Sequence, residues 1–435
     1  MKKIAALLIL FGASLPTWAT DGYFSHGYGM TAKGMGGASA AMASDSFGGS
    51  NNPASMAWIG NRLDVGLDWF SPKRDAGRAG GNTGMNGHVD SDSTSFFIPE
   101  FGYNRVYSPT MSLGLSVYGN GGMNTDYPGG QLGANPCAGM SGPAASYNLL
   151  CGTGKLGVDL SQLVIAPTLA LKLNAANSLG VAPLFGYQRF KIDGIQPFAG
   201  FTPSQSTNYL TNKGYDSSTG WGLRLGWQGR LNEAVTLGAT YSTKIKMGNF
   251  DKYKELFAGG GAFDIPLNFS LGAAFKATPN LTVALDYERI DYSGVASVGN
   301  PSSNRAPLGA ANGPGFGWQD VDAIKLGVQY QYAPNLLLRA GYNHSTNPIQ
   351  SRDVTFNILA PGVVQDHITL GFSYALSRDS DLTMAYMHAN SNSVSGASMF
   401  TGIFQSMGMT GANAGTETIR LYENSLGIAY GLKLK

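Results

Sequence analysis

From Asn61 to the C-terminus the chain repeats one pattern, segments of about ten residues in which apolar side chains alternate with small or polar ones. In Gly220–Gln228, Trp221, Leu223, Leu225 and Trp227 share one face, and Gly222, Arg224, Gly226 and Gln228 share the other. The next run sets Val235, Leu237, Ala239, Tyr241 and Ile245 against Thr236, Gly238, Thr240, Ser242, Lys244 and Lys246. A period of two belongs to strands, so the chain makes sheet with one apolar and one polar face. A soluble sandwich would turn the apolar face inward. Here that face carries aromatics near its ends, as the interfacial girdles of a membrane barrel do. The predicted fold is an all-β transmembrane barrel with lipid outside and a polar lumen inside.

The connections count the strands. Short ones lie at Ser108–Thr110, Asn174–Ser178, Arg230–Ala234, Ala277–Asn280, Ala333–Asn335 and Ser377–Asp381. Long ones cover 73–92, 120–158, 193–217, 248–265, 293–318, 346–363 and 391–416. The alternation predicts about 14 antiparallel strands, with short turns and both chain ends in the periplasm and long loops outside.

The N-terminus fixes the compartment. Lys2 and Lys3 precede an apolar run from Ile4 to Leu15, and Thr17-Trp18-Ala19 offers small residues at the −3 and −1 positions of a cleavage site. Residues 1–19 read as a secretory signal peptide; a membrane anchor would need about 20 apolar residues. Charged residues are 13% of the chain, against about 25% in soluble domains. The net charge of +2, with no basic cluster, gives no reason to expect a nucleic-acid partner. In an oxidising compartment Cys137 and Cys151 read as a local disulfide, two unpaired thiols being the alternative. A metal site would need more ligands, and none is expected.

Residues 20–60 are rich in Gly, Ala, Ser and Met and precede the first strand, leaving 61–435 for the barrel. A ring of about 14 strands leaves a hole unless something fills it, and a compact segment suits a plug. Asn52 followed by Pro53 and Ala54 reads as a helix N-cap with proline at the first helical position. Composition alone also accommodates a flexible periplasmic tail.

Gly34–Ser39 through Asn52-Pro53-Ala54 resembles the hatch of the FadL family, outer-membrane channels for long-chain fatty acids and related hydrophobic compounds. Val117–Tyr127 is similar to that family's kinked third strand, and Tyr253–Pro266 to its extracellular loop before the eighth. Phe316–Tyr330 and Phe356–His367 resemble later family segments, so the likeness covers nearly the whole mature chain. It implies a monomeric fourteen-stranded barrel in a Gram-negative outer membrane, plugged by its N-terminal hatch. It also implies hydrophobic molecules taken from outside and released sideways into the membrane lipid through a gap at the strand kink. The kink falls at Gly119, Asn120, Gly121 and Gly122, where glycine weakens pairing and favours a bulge. A strand simply ending in loop glycines is the alternative.

Apolar residues crowd two outer loops: Met399, Phe400, Ile403, Phe404, Met407 and Met409 in the last, Leu256, Phe257 and Phe263 in the fourth. Such clusters mark binding surfaces, and methionine adapts to varied ligands; they could equally pack on one another. Leu256, Phe257, Phe263, Met399, Phe400 and Phe404 are the candidate capture residues. A fatty acid also needs a carboxylate partner. Alternation puts Arg224 and Lys325 on the lumen face with Arg339, Asp286 and Glu288, and the first two are the candidates. Pairing among these charges is the alternative, and an uncharged aromatic hydrocarbon would need no partner. The chain ends Tyr430–Lys435 without the terminal aromatic common in such barrels.

No H-E-x-x-H, G-x-S-x-G or Walker loop is present, which argues against an enzyme or a cofactor. A general porin would show rings of charge around an open lumen; apolar loops leave an adhesin open. The predicted function is passive uptake of hydrophobic compounds, long-chain fatty acids first and aromatic hydrocarbons as the alternative.

Overall fold

The computed structural model describes residues 21–42 and 44–435, so the signal-peptide assignment lies outside the described residues. Fourteen long antiparallel strands close on themselves. They are β1 (Arg62–Ala79), β2 (Phe96–Ser108), β3 (Met111–Asn124), β4 (Gly157–Lys172), β5 (Asn177–Asp193), β6 (Asp216–Arg230) and β7 (Val235–Ser242). The second half is β8 (Asn268–Thr278), β9 (Leu281–Ile290), β10 (Val321–Ala333), β11 (Leu336–Ser345), β12 (Asp366–Ala375), β13 (Ser380–Ala397) and β14 (Thr416–Lys433). Each pairs with its sequence neighbours, and β14 closes the ring on β1 from Arg62↔Lys433 to Ala79↔Thr416.

The six short turns fall where the sequence marks them. Several long loops are shorter than expected because strands continue into them: β1 runs to Ala79 and β13 to Ala397. Both have 18 residues, well beyond the 9–11 that cross a bilayer.

Side-chain alternation sorts lipid from lumen. On β6, Trp221 is 71% exposed on the outer wall while Arg224 is 4% exposed inside. Tyr107, Tyr332 and Tyr374 stand exposed beside the short turns, where an aromatic girdle belongs.

One expected face is corrected. Ile245 points inward and is buried, and Lys246 is exposed, the reverse of the pattern read from Val235. β7 stops at Ser242, opposite Arg224, and pairing resumes with Lys246 opposite Trp221. Four steps on one strand therefore answer three on the other, and one extra residue flips every later side chain. Thr243 occupies the break, its Oγ1 accepting the Leu223 amide at 3.0 Å.

Candidate functional site

Residues 21–60 pack against the inward faces of strands all round the ring. The segment holds one five-residue helix, α1 (Met30–Gly34), and a 3-10 turn, Pro53–Ala57. Asn52 caps that turn, its side-chain oxygen accepting from the Ala54 amide at 3.0 Å. Its Nδ2 donates to the Ala40 carbonyl at 2.6 Å and to the Trp227 carbonyl of β6 at 2.9 Å. The carboxamide has both an acceptor and two donors, so one side chain caps a turn and clamps it to the wall.

Lumen charges do the remaining fastening. Asp286 accepts from the Ser39 and Ala40 amides at 2.7 and 2.8 Å, and Lys33 pairs with Asp68. Lys325 donates to the His26 carbonyl at 2.8 Å and pairs with Asp21 and Glu288. Arg224 donates to the carbonyls of Gly49 and Ser50, to Ser242 and to the Tyr118 hydroxyl. Both side chains expected to partner a ligand carboxylate, Arg224 and Lys325, thus hold the chain itself, and they line one small polar cavity of about 30 Å³ with Asp286, Glu288 and the N-terminal segment. Close approach also needs bare backbone: a Cβ on Gly341 would collide with the amide of Gly36.

Burial tunes the segment's own titratable groups. It lowers His26 to about 3, His367 and Lys33 adding to the effect, so the ring is neutral at any physiological pH. Burial, then the neighbouring Asp64 carboxylate, pushes Asp45 up to about 6. Among the described residues no group of three or more His, Cys, Asp or Glu is placed to hold a metal ion.

The four residues of the expected kink form a bulge. Gly119 faces Leu163 of β4 and Gly121 faces Gln162, leaving Asn120 as the extra residue. The β2–β3 ladder ends at Phe101↔Val117, whereas β3 continues beside β4 to Asn124. Above that point the β3 edge meets the N-terminal segment: Gly122 N–H donates to the Tyr23 carbonyl at 3.2 Å, and Gly121 bridges Phe24. A Cβ on Gly121 would strike the Tyr23 carbonyl, so glycine is required there.

Two cavities lie among the outer loops, the inner one apolar and the outer one mixed. The outer one, of about 610 Å³, is lined by residues of the 194–215, 291–320 and 346–365 connections and by Met399. The inner one, about 40 Å³, is lined by Leu150, Phe190, Ile195, Leu256, Phe257 and their neighbours. Phe198, Leu308, Pro314 and Phe356 line both. From the inner cavity an aromatic series leads to the N-terminal segment: Phe190–Phe257 at 4.7 Å, Phe257–Phe263 at 4.9 Å, Phe263–Tyr23 at 6.2 Å.

Of the expected capture residues, Leu256 and Phe257 line the inner cavity and Met399 the outer. Phe263, Phe400 and Phe404 are instead buried, Phe263 beneath Phe257 and Phe400 against Phe198 and Phe404. Phe198, Ile195 and Leu308 were missed, because they sit in loops without periodicity. The signal available was the same apolar density that marked the other loops. Cys137 and Cys151 are joined, Cα atoms 5.1 Å apart, within the β3–β4 connection.

The model of the outer membrane protein transport protein family (OMPP1/FadL/TodX) matches residues 25–414. Among solved structures, the toluene transporter TodX of P. putida is 17% identical, with a TM-score of 0.68 over 94% of this chain and 99% of its own. A Pseudomonas aeruginosa FadL homologue is 13% identical, with a TM-score of 0.67 over 95% and 100%. The Ralstonia pickettii toluene transporter TbuX is 17% identical, with a TM-score of 0.62 over 94% and 99%. At these identities the likeness shows the fold. No curated protein sequence matches.

Proposed function

Because the chain belongs to the outer membrane protein transport family (OMPP1/FadL/TodX), we propose that it takes up hydrophobic small molecules by a lateral route. Cargo enters the outer cavity, passes Phe198 and Phe356 into the inner one, and leaves for the membrane lipid where the β2–β3 ladder stops. Residues 20–60 serve as the plug that closes the lumen to polar solutes.

The observation that carries this reading is the continuity of apolar packing from the loops to the bulge. The inner cavity is lined by Leu, Ile, Phe, Pro and Gly with one serine, Ser297, and a water-poor lining rewards only cargo that sheds apolar area. The aromatic series then ends at Tyr23, whose carbonyl touches the bulge. The solved relatives include toluene transporters and a FadL homologue, and an almost wholly apolar lining does not choose between an alkyl chain and an aromatic ring. We place long-chain fatty acids first, with aromatic hydrocarbons as the second reading.

Deleting Asn120 tests the route. It leaves Gly119 and Gly121 opposite their present partners while removing the extra residue, so β3 straightens without changing which side chains face inward. Uptake of labelled palmitate and of toluene into vesicles should fall to the protein-free background while the barrel still folds. Undiminished uptake by the folded variant would falsify the lateral route.

A further inference from the structure

The outer cavity has an apolar wall built from Phe198, Phe201, Leu308, Phe356 and Met399, and Arg305 is the one ionisable side chain lining it among the described residues. Arg305 is exposed and makes no ion pair among the described residues. The charges around it are already engaged. Asp353 accepts from the Ser302 amide at 2.9 Å and from Arg352 at 3.0 Å, Glu255 accepts from Ser204, and Lys254 lies 3.8 Å over the Tyr209 ring. Arg224 and Lys325, deeper in the lumen, are taken up by the N-terminal segment.

We propose that Arg305 is a headgroup contact, so that the outer cavity prefers a long-chain carboxylate to a neutral hydrocarbon chain of the same length. This rests on the cavity being the entry for cargo. A guanidinium presents parallel donors that match both oxygens of a carboxylate. From that anchor the alkyl chain lies along Phe198 and Phe356, which also line the inner cavity. The free energy of burying the chain is common to acid and alcohol, so the guanidinium decides between them. An exposed charge pair is modest, and the expected preference is about two- to fivefold.

The test is equilibrium binding of radiolabelled palmitate and hexadecanol to the folded barrel in lipid nanodiscs, comparing wild type, Arg305→Gln and Arg305→Lys. Arg305→Gln should weaken palmitate about two- to fivefold and leave hexadecanol unchanged. Arg305→Lys should recover much of the difference, and added salt should erode the wild-type preference. If Arg305→Gln moves both ligands equally, or moves neither, or if wild type binds them alike, the assignment to Arg305 is overturned while the uptake reading stands. If neither ligand, nor toluene, binds wild type saturably, both are overturned.

Discussion

Substitution at Asn52 separates a helix cap from a clamp. A cap alone ranks Asn, Asp and Ser as near equals with Ala about 1 kcal/mol worse. The structure demands a different order, because the same carboxamide donates to Ala40 and Trp227 while it is fully buried. Asn52→Ser keeps an acceptor for Ala54 and loses two donations at about 1 kcal/mol each. Asn52→Ala loses the cap as well, roughly 2–4 kcal/mol in all. Asn52→Asp keeps the cap but turns a buried carboxylate oxygen towards two carbonyl oxygens, costing at least as much as alanine. Hydrogen exchange of peptides covering 38–57 in the folded barrel reads the local opening. Exchange should speed up in the order wild type, Ser, Ala, Asp, with Ala on the order of 30- to 1,000-fold above wild type. If Asn52→Asp exchanges like wild type, the clamp reasoning is wrong and Asn52 is a cap only.

Removing residues 20–48 should raise the conductance of small ions in planar bilayers; an unchanged conductance would sink the plug assignment. Asp45 gives a pH signature. With its pKa raised to about 6 in place, from about 4 when the segment is free, it favours docking at low pH, a contribution lost as pH rises through 6. Asp45→Asn should therefore exchange more slowly than wild type above pH 6 and alike below 4. The comparison must be with the variant, since buried His26, its pKa lowered, pulls the wild-type profile the other way. Reducing Cys137–Cys151 removes a cross-link worth up to ~3 kcal/mol in the chain-entropy model. Proteolysis within 134–151 should rise while the barrel stays folded, and equal resistance of the reduced protein would argue that packing alone holds that loop.

The sequence carried the barrel because strand faces and turns are local signals: Trp221 and Arg224 declare opposite sides within four residues, and each short turn has its own Asn, Pro or Ser. The face of Ile245 was lost to a single inserted residue, which depends on what Thr243 does to a neighbouring strand. Alternation could place Arg224 and Lys325 in the lumen, but not name their partners. Those partners include backbone carbonyls 174 and 299 residues away, beside the Glu288 carboxylate that pairing among the lumen charges allowed. Phe198 and Phe356 meet at 5.6 Å across two aperiodic loops, a contact no local pattern encodes.

The division of the lumen also bears on the exit proposed for the cargo. A path straight through residues 21–60 would separate Lys33 from Asp68 and Lys325 from Asp21, pairs with both partners buried. Breaking one buried pair costs about 3–5 kcal/mol, and an apolar cargo offers neither charge a replacement. The sideways path leaves these pairs untouched and disturbs contacts of Tyr23, Phe24, Ser25 and Tyr28 with the bulge. Replacing both members of one pair, Lys33→Met with Asp68→Leu, should therefore leave palmitate uptake near the wild-type rate. A clear rise in uptake in this double variant, with the barrel folded, would show that the cargo route runs through the plug.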